Sequence, residues 1–252
     1  MPLHLRLLLP TSTLALATGL GFVQPVGLLL GTLFVIALLA GQRHLPEWLW
    51  LPLILLGGIA LAAHLVPGFR PWQLWQPRSI SADAAPYGLR LSWDKLLLGT
   101  ALLAWWLGQP HRPVIAPKRA WWVCLATLLL IPALAIALGL VAWQPKWPEG
   151  LLLWLAVNLG VAVLAEELLF RGMLQTALVK RLGTWPGLLL TAGLFGAAHL
   201  PFSPLFAVVA TCAGLGYGLA FHYSGRLSLA IALHGAVNLL HILLLSYPLR
   251  LT

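Results

Sequence analysis

The chain has 252 residues, 60% of them hydrophobic and only 8% Asp, Glu, Lys or Arg, against roughly 25% charged in a soluble domain. With a mean hydropathy of +0.91, it carries more apolar surface than a soluble fold can bury, so a soluble globular protein is excluded and the solvent is lipid. The net charge of +9 would point to nucleic acid in a soluble protein. Here the basic residues fall mostly in short connections between apolar runs, which is positive-inside topology and headgroup contact, with no nucleic-acid partner. Cys124 and Cys212 both lie inside apolar runs, so neither a disulfide framework nor a cysteine metal site is expected. Trp48 and Trp50, Trp121 and Trp122, and Trp143 and Trp147 cluster near the ends of runs and read as interface anchors.

In chain order, the opening "MPLHLRLLLPTSTLALATG" resembles a signal peptide, with Arg6 before an apolar stretch and "ALA" at 15–17. Eight further runs follow it, so it reads as a first membrane helix. Apolar runs predict spans near 7–23, 26–40, 48–66, 95–108, 120–143, 150–170, 187–200, 204–222 and 227–246. Several are shorter than the ~20 residues of a perpendicular span, the fourth and seventh being the weakest. The expected fold is all-α, a polytopic transmembrane helix bundle of about eight or nine spans. Residues 67–94 form the longest polar connection, rich in Pro and turn formers, and read as a surface loop. With nine spans, Arg6, Arg43, Arg112, Lys118, Arg119, Lys180, Arg181 and Arg226 share one side. That side is then cytoplasmic, with the N-terminus and the 171–186 connection.

The sixth run ends in "VLAEELLFRG", residues 163–172. Three charges in an apolar run are expensive and mark a functional site by default. The helix is expected to continue past Phe170 through "MLQTALVKR". Glu167 and Arg171 are then four residues apart on one face and can pair, as readily for structure as for function, whereas Glu166 is rotated about 100° away. The seventh run supplies "LFGAAHL", with Phe195 and His199 at i, i+4, and the ninth "LHGAVNLL", with His234 and Asn238 at the same spacing. Counting from Lys180, Gly187 and Arg226 puts Glu166, His199 and His234 about 21, 18 and 12 Å from one membrane face. A carboxylate, two imidazoles and an amide suit hydrolysis by activated water: the carboxylate takes a proton and N–H groups stabilise an oxyanion. No Ser or Cys adjoins these histidines, so a covalent nucleophile fits less well.

Elsewhere the ordinary readings prevail. Asn158 reads as interhelical glue. His241, seven residues after His234 on the same face, reads as packing rather than pocket lining. His4, His44, His64, His111 and His222 lie near run ends and read as interfacial. In "AGLGYG" (213–218) no strand precedes the glycines; Ala210, Gly214 and Gly218 make a small-residue face for close helix packing.

The three motifs "EELLFR" (Glu166, Glu167, Arg171), "FGAAH" (Phe195, His199) and "HGAVN" (His234, Asn238) resemble the CPBP family of intramembrane proteases, also called Abi or type II CAAX prenyl endopeptidases. The resemblance covers about 150–245. It divides the chain into accessory transmembrane helices over 1–145 and catalytic ones over 146–252. It implies peptide-bond hydrolysis within the membrane on a membrane-associated or lipidated peptide or protein. In that reading Glu166 and His199 activate water, His234 and Asn238 form the oxyanion site, and Glu167 and Arg171 support them. Glu166 with the two histidines could also hold zinc; the His-E-x-x-His helix of common metalloproteases is absent, and a glutamate-dependent reaction without metal or other cofactor is favoured. The competing class is a non-catalytic binding or bacteriocin-immunity protein. A transporter would be expected to show repeats and broken helices in paired positions, and neither is seen.

Overall fold

Apolar runs in lipid must satisfy their own backbone, and helices do so. A computed structural model describes residues 1–110 and 112–251; His111, expected at an interface, lies outside the described residues. All nine predicted runs are helical: α1 (Leu3–Gly19), α2 (Pro25–Leu39), α3 (Glu47–Ala62), α4 (Trp93–Trp106), α5 (Pro117–Ala137), α6 (Leu151–Leu182), α7 (Thr184–Ala197), α8 (Pro204–Ser224) and α9 (Leu227–Leu244). A single extra turn covers Gly41–His44. Proline opens α2, α5 and α8, where its missing N–H would have had no partner. Ser203 caps α8, its Oγ accepting from Phe206 N at 3.0 Å.

Among the described residues, α5, α6, α8 and α9 are long and apolar enough to cross a membrane, and α2 and α3 are shorter apolar helices. The architecture is an all-α membrane fold. Trp48, Trp121, Trp122, Trp143 and Trp147 are exposed, as interface anchors need to be. Trp50 is not: it is buried, and its Nε1 donates to Ala37 O at 3.0 Å. Two residues on a helix are about 200° apart, so Trp48 and Trp50 could not face one solvent.

The long helix α6 is not regular. It has 32 residues, which a regular α-helix would extend over about 48 Å. Two π-helical stretches, Asn158–Val163 and Leu168–Gln175, bracket one α-turn at Leu164–Glu167. Such wide turns cluster at functional sites.

The chain forms two compact units: unit 1 is Met1–Leu74, Arg90–Pro110 and Gly160–Leu169, and unit 2 is Trp75–Leu89, His111–Leu159 and Phe170–Thr252. In unit 1, α4 is the core helix. Trp93, Leu97, Leu98, Ala101, Leu102 and Ala104 are buried, facing α1, α2, α3 and the Leu164–Glu167 turn. Polar contacts fix α1 on α4: Arg6 Nη1 donates to Ala104 O at 3.0 Å and Thr13 Oγ1 to Thr100 Oγ1 at 3.2 Å. Part of the long loop is an antiparallel ribbon, Trp72–Gln73 against Arg90–Leu91, with Trp72 opposite Leu91. His64, with a left-handed φ of 60°, holds buried Asp94 through Nδ1 at 2.8 Å.

In unit 2, α7, α8 and α5 pack side by side. A Cβ on Gly196 would lie 1.8 Å from Thr211 Oγ1 and 2.6 Å from Ala207 O, so only glycine lets α7 and α8 approach this closely. Beyond the C-terminal end of α9 three loops are tied together. Ser246, fully buried, donates to Asp83 Oδ2 at 2.7 Å and accepts from Ala142 N at 2.9 Å. Arg250 Nε lies 3.1 Å from the same carboxylate. The Ser246 hydrogen bond, helped by Arg250, holds Asp83 below its ordinary range. Burial lowers Lys146, partly offset by Asp83, and its ammonium donates to Leu245 O and Gln144 O.

Candidate active site

His199, His234 and Asn238 come together. With His241 they supply the polar wall of one cavity of about 90 Å³ in unit 2. Its apolar wall comes from α5 (Ile131, Pro132, Ala135), α8 (Val209, Ala213, Tyr217) and the chain after α9 (Leu245, Leu249). The helical spacing explains the convergence: His234, Asn238 and His241 fall at i, i+4 and i+7 on one face of α9.

Phe195 is the hub. It is buried, and its ring lies 4.8 Å from His199, 5.8 Å from His234 and 6.2 Å from Tyr217. Its carbonyl receives His199 Nδ1 at 2.8 Å. A carbonyl only accepts, so Nδ1 carries the proton and neutral His199 keeps its lone pair on Nε2. Phe202 and Phe206 flank the same ring at 6.1 and 5.5 Å. His234, 6% exposed, stacks on Tyr217 at 4.6 Å and 16°. The F-x-x-x-H spacing therefore has a physical reason: one turn of α7 supplies both the ring against which His199 packs and the carbonyl that sets its tautomer.

Asn238 Nδ2 donates to Asn158 Oδ1 at 3.2 Å. Asn158 thus joins α6 to α9, as expected of interhelical glue. An amide has two N–H groups, so one remains for the cavity side. His241 differs from expectation. It lines the cavity, with Nε2 3.0 Å from Ser246 O. The periodicity that put it on the His234 face was the available signal; the carbonyl that holds its ring comes from the chain end beyond α9.

Arg171 is fully buried in unit 2. Its Nη2 donates to Gly214 O at 2.9 Å, and its guanidinium lies 4.4 Å from the Phe195 centroid and 5.3 Å from that of Tyr217. One turn on, Gln175 Nε2 donates to Gly218 O at 3.0 Å. The small-residue face of α8 therefore takes two long polar side chains of α6, whose heads reach its backbone because no Cβ stands in the way. The hydroxyl of Thr176 donates to Arg171 O at 3.0 Å, a five-residue step that matches the π register.

Glu166 and Glu167 belong to unit 1. Glu167 is fully buried. Glu166 Oε1 lies 3.6 Å from Lys95 Nζ on α4, with the two side chains 20% and 23% exposed. Lys95 was missed from the sequence, because a lysine at the first position of the predicted run 95–108 reads as an interfacial charge. Among the described residues no group of three or more His, Cys, Asp or Glu side chains is placed to hold a metal ion.

Residues 148–240 match the family described as Type II CAAX prenyl endopeptidase Rce1-like. The chain carries a CAAX-protease-like domain. All seven motif residues, Glu166, Glu167, Arg171, Phe195, His199, His234 and Asn238, fall inside the matched span, whereas Lys95 and His241 fall outside it. No curated protein and no solved structure matches the chain. The family match supports a hydrolase of the CAAX-type intramembrane-protease kind, and with four helices among the described residues long and apolar enough to cross a membrane it supports a membrane protein.

Proposed function

We propose that the protein is an intramembrane endopeptidase that hydrolyses a peptide bond of a membrane-associated or lipidated substrate with a glutamate-activated water. Glu166 takes a proton from the water, and His199 Nε2 accepts a hydrogen bond that orients it. Attack on the carbonyl carbon makes a tetrahedral oxyanion. The second N–H of Asn238 and a ring N–H of His234 stabilise it. The proton held by Glu166 then passes to the leaving amine as the C–N bond breaks. Glu167 and Arg171 are a supporting pair. The reaction uses no metal or other cofactor. The helices lie in the cell membrane with eight or nine crossings, and the site opens to the cytoplasmic side.

The observation that carries this reading is the convergence of His199, His234 and Asn238 on one cavity, with the His199 tautomer set by the Phe195 carbonyl. The share given to Glu166 rests on the motif. Glu166→Gln keeps the shape and cannot accept the proton. Cells carrying only this variant are expected to accumulate uncleaved membrane peptides, read by mass spectrometry, and the purified variant is expected to be folded and inactive. Near wild-type cleavage by Glu166→Gln would remove the glutamate assignment.

A further inference from the structure

We propose that Arg112, Arg119 and Arg226, gathered round the C-terminal end of α8 in unit 2, bind the phosphate headgroup of an anionic lipid. None of the three lines the cavity of His199 and His234, and the site does not depend on the protease reading.

The chain that enters α5 is laid on the end of α8 by its backbone. Ile115 N and Ala116 N both donate to Tyr223 O at 3.0 Å. Gly225, with a left-handed φ of 66°, leaves room for it: a Cβ there would lie 2.5 Å from Pro113 O and 3.0 Å from Arg112 O. Arg112 Nη2 donates to Thr176 Oγ1 at 2.6 Å, and its guanidinium lies 4.9 Å from the Phe221 centroid. The Arg119 guanidinium lies 5.9 Å from the ring of Tyr223, and Arg226 follows Gly225 directly. A guanidinium has five N–H donors. The Arg112 side chain is therefore held by a ring and a hydroxyl while it stays exposed, with donors left in the planar fork that suits phosphate oxygens.

No carboxylate answers these charges. Among the described residues, none of Arg112, Arg119 and Arg226 forms an ion pair with Asp or Glu. Of the six acidic residues, only Asp83 and Glu149 belong to unit 2. Asp83 is bound to Ser246 and Arg250 beyond the far end of α9, and Glu149 lies 3.7 Å from Arg78. The 18 residues of α9 set Arg226 about 27 Å from that end. Like charges round one helix end repel, and a bound anion relieves the repulsion.

Depth decides which anion. Trp121 and Trp122, three residues further into α5 than Lys118 and Arg119, are exposed, and such rings sit at the headgroup level. Val114 and Ile115, between Arg112 and Lys118, are exposed as well, which suits a stretch lying against lipid. The anion present at that depth is a lipid phosphate. Positive-inside bias asks only for charge; the ring and hydroxyl contacts that fix Arg112 go beyond it.

The test titrates delipidated full-length protein in detergent with dioleoyl phosphatidylglycerol and, in parallel, dioleoyl phosphatidylcholine, reading lipid adducts by native mass spectrometry. Wild type is expected to bind phosphatidylglycerol more tightly than phosphatidylcholine. Arg112→Gln is expected to bind phosphatidylglycerol about fivefold more weakly, the worth of one cation at an anionic surface. Arg43→Gln, which removes an exposed charge of unit 1, is expected to bind like wild type. Should Arg112→Gln not fold, Arg119→Gln carries the same expectation. Equal affinity for the two lipids overturns the inference, and so does an equal loss in Arg43→Gln, since net charge alone would then suffice. Inorganic phosphate or a hexaglutamate peptide that binds with the Arg112 dependence in place of phosphatidylglycerol would also overturn it, by assigning the cations to a free anion or an acidic peptide.

Discussion

Replacing Asn238 by Ala removes two things that its neighbour Asn158 allows to be separated. The first is the 3.2 Å bond from Nδ2 to Asn158 Oδ1, which ties α9 to α6. Interhelical side-chain hydrogen bonds of this kind contribute about 0.6 kcal/mol, with a maximum near 1.7. The second is the N–H proposed to meet the oxyanion, whose loss costs about 10²–10³ in rate, or about 2.7–4 kcal/mol of barrier. Asn158→Ala removes the first and spares the second; an anchoring loss of about 0.6 kcal/mol is worth only about threefold in rate. Thermal unfolding in detergent is therefore expected to drop equally in the two variants. Single-turnover cleavage in proteoliposomes, on a peptide that accumulates in Glu166→Gln cells, is expected to fall about 10²–10³-fold for Asn238→Ala and about threefold for Asn158→Ala. Equal rate losses would mean that Asn238 acts by holding α9 in place. A loss confined to KM would likewise refute the oxyanion role.

Reversing one charge of Glu167 or Arg171, both fully buried, leaves like charges at low dielectric and is expected to abolish folded protein or activity, read by detergent size-exclusion and cleavage. The double reversal is expected to recover only part, because the new acid cannot donate to Gly214 O as Arg171 does; a double variant worse than the sum of the singles means that the pair does not exist. Enzyme stripped of metal and checked by elemental analysis is expected to keep cleaving, since ligation would tie up the His234 ring that the oxyanion needs. Complete loss on stripping, restored by stoichiometric zinc, would overturn the mechanism and leave the protease assignment.

Much of the fold was legible because it is local. A run of apolar residues in lipid has one way to satisfy its backbone, and each of the nine runs became a helix with ends displaced by a few residues. The i, i+4 spacing of His234 and Asn238 put both on one face, and the small-residue face of Ala210, Gly214 and Gly218 announced a close approach, because both properties follow from the helix period alone. That period also placed His241 on the cavity face, although nothing in the sequence indicated the Ser246 carbonyl that holds its ring.

What the tertiary structure decided is which groups meet across helices. The π register of α6 is one case: a wide turn is not encoded by periodicity and coincides here with contacts that other helices supply, such as the carbonyl of Gly214 for Arg171. The burial of Trp50, two residues from exposed Trp48, is another. The meeting of Lys95 with Glu166, 71 positions apart in the chain, is the clearest. Hydropathy records only how well a residue suits lipid on its own. A charged residue in an apolar run therefore looks like a misfit until packing brings it a partner, and that pairing depends on helix contacts that no local pattern contains.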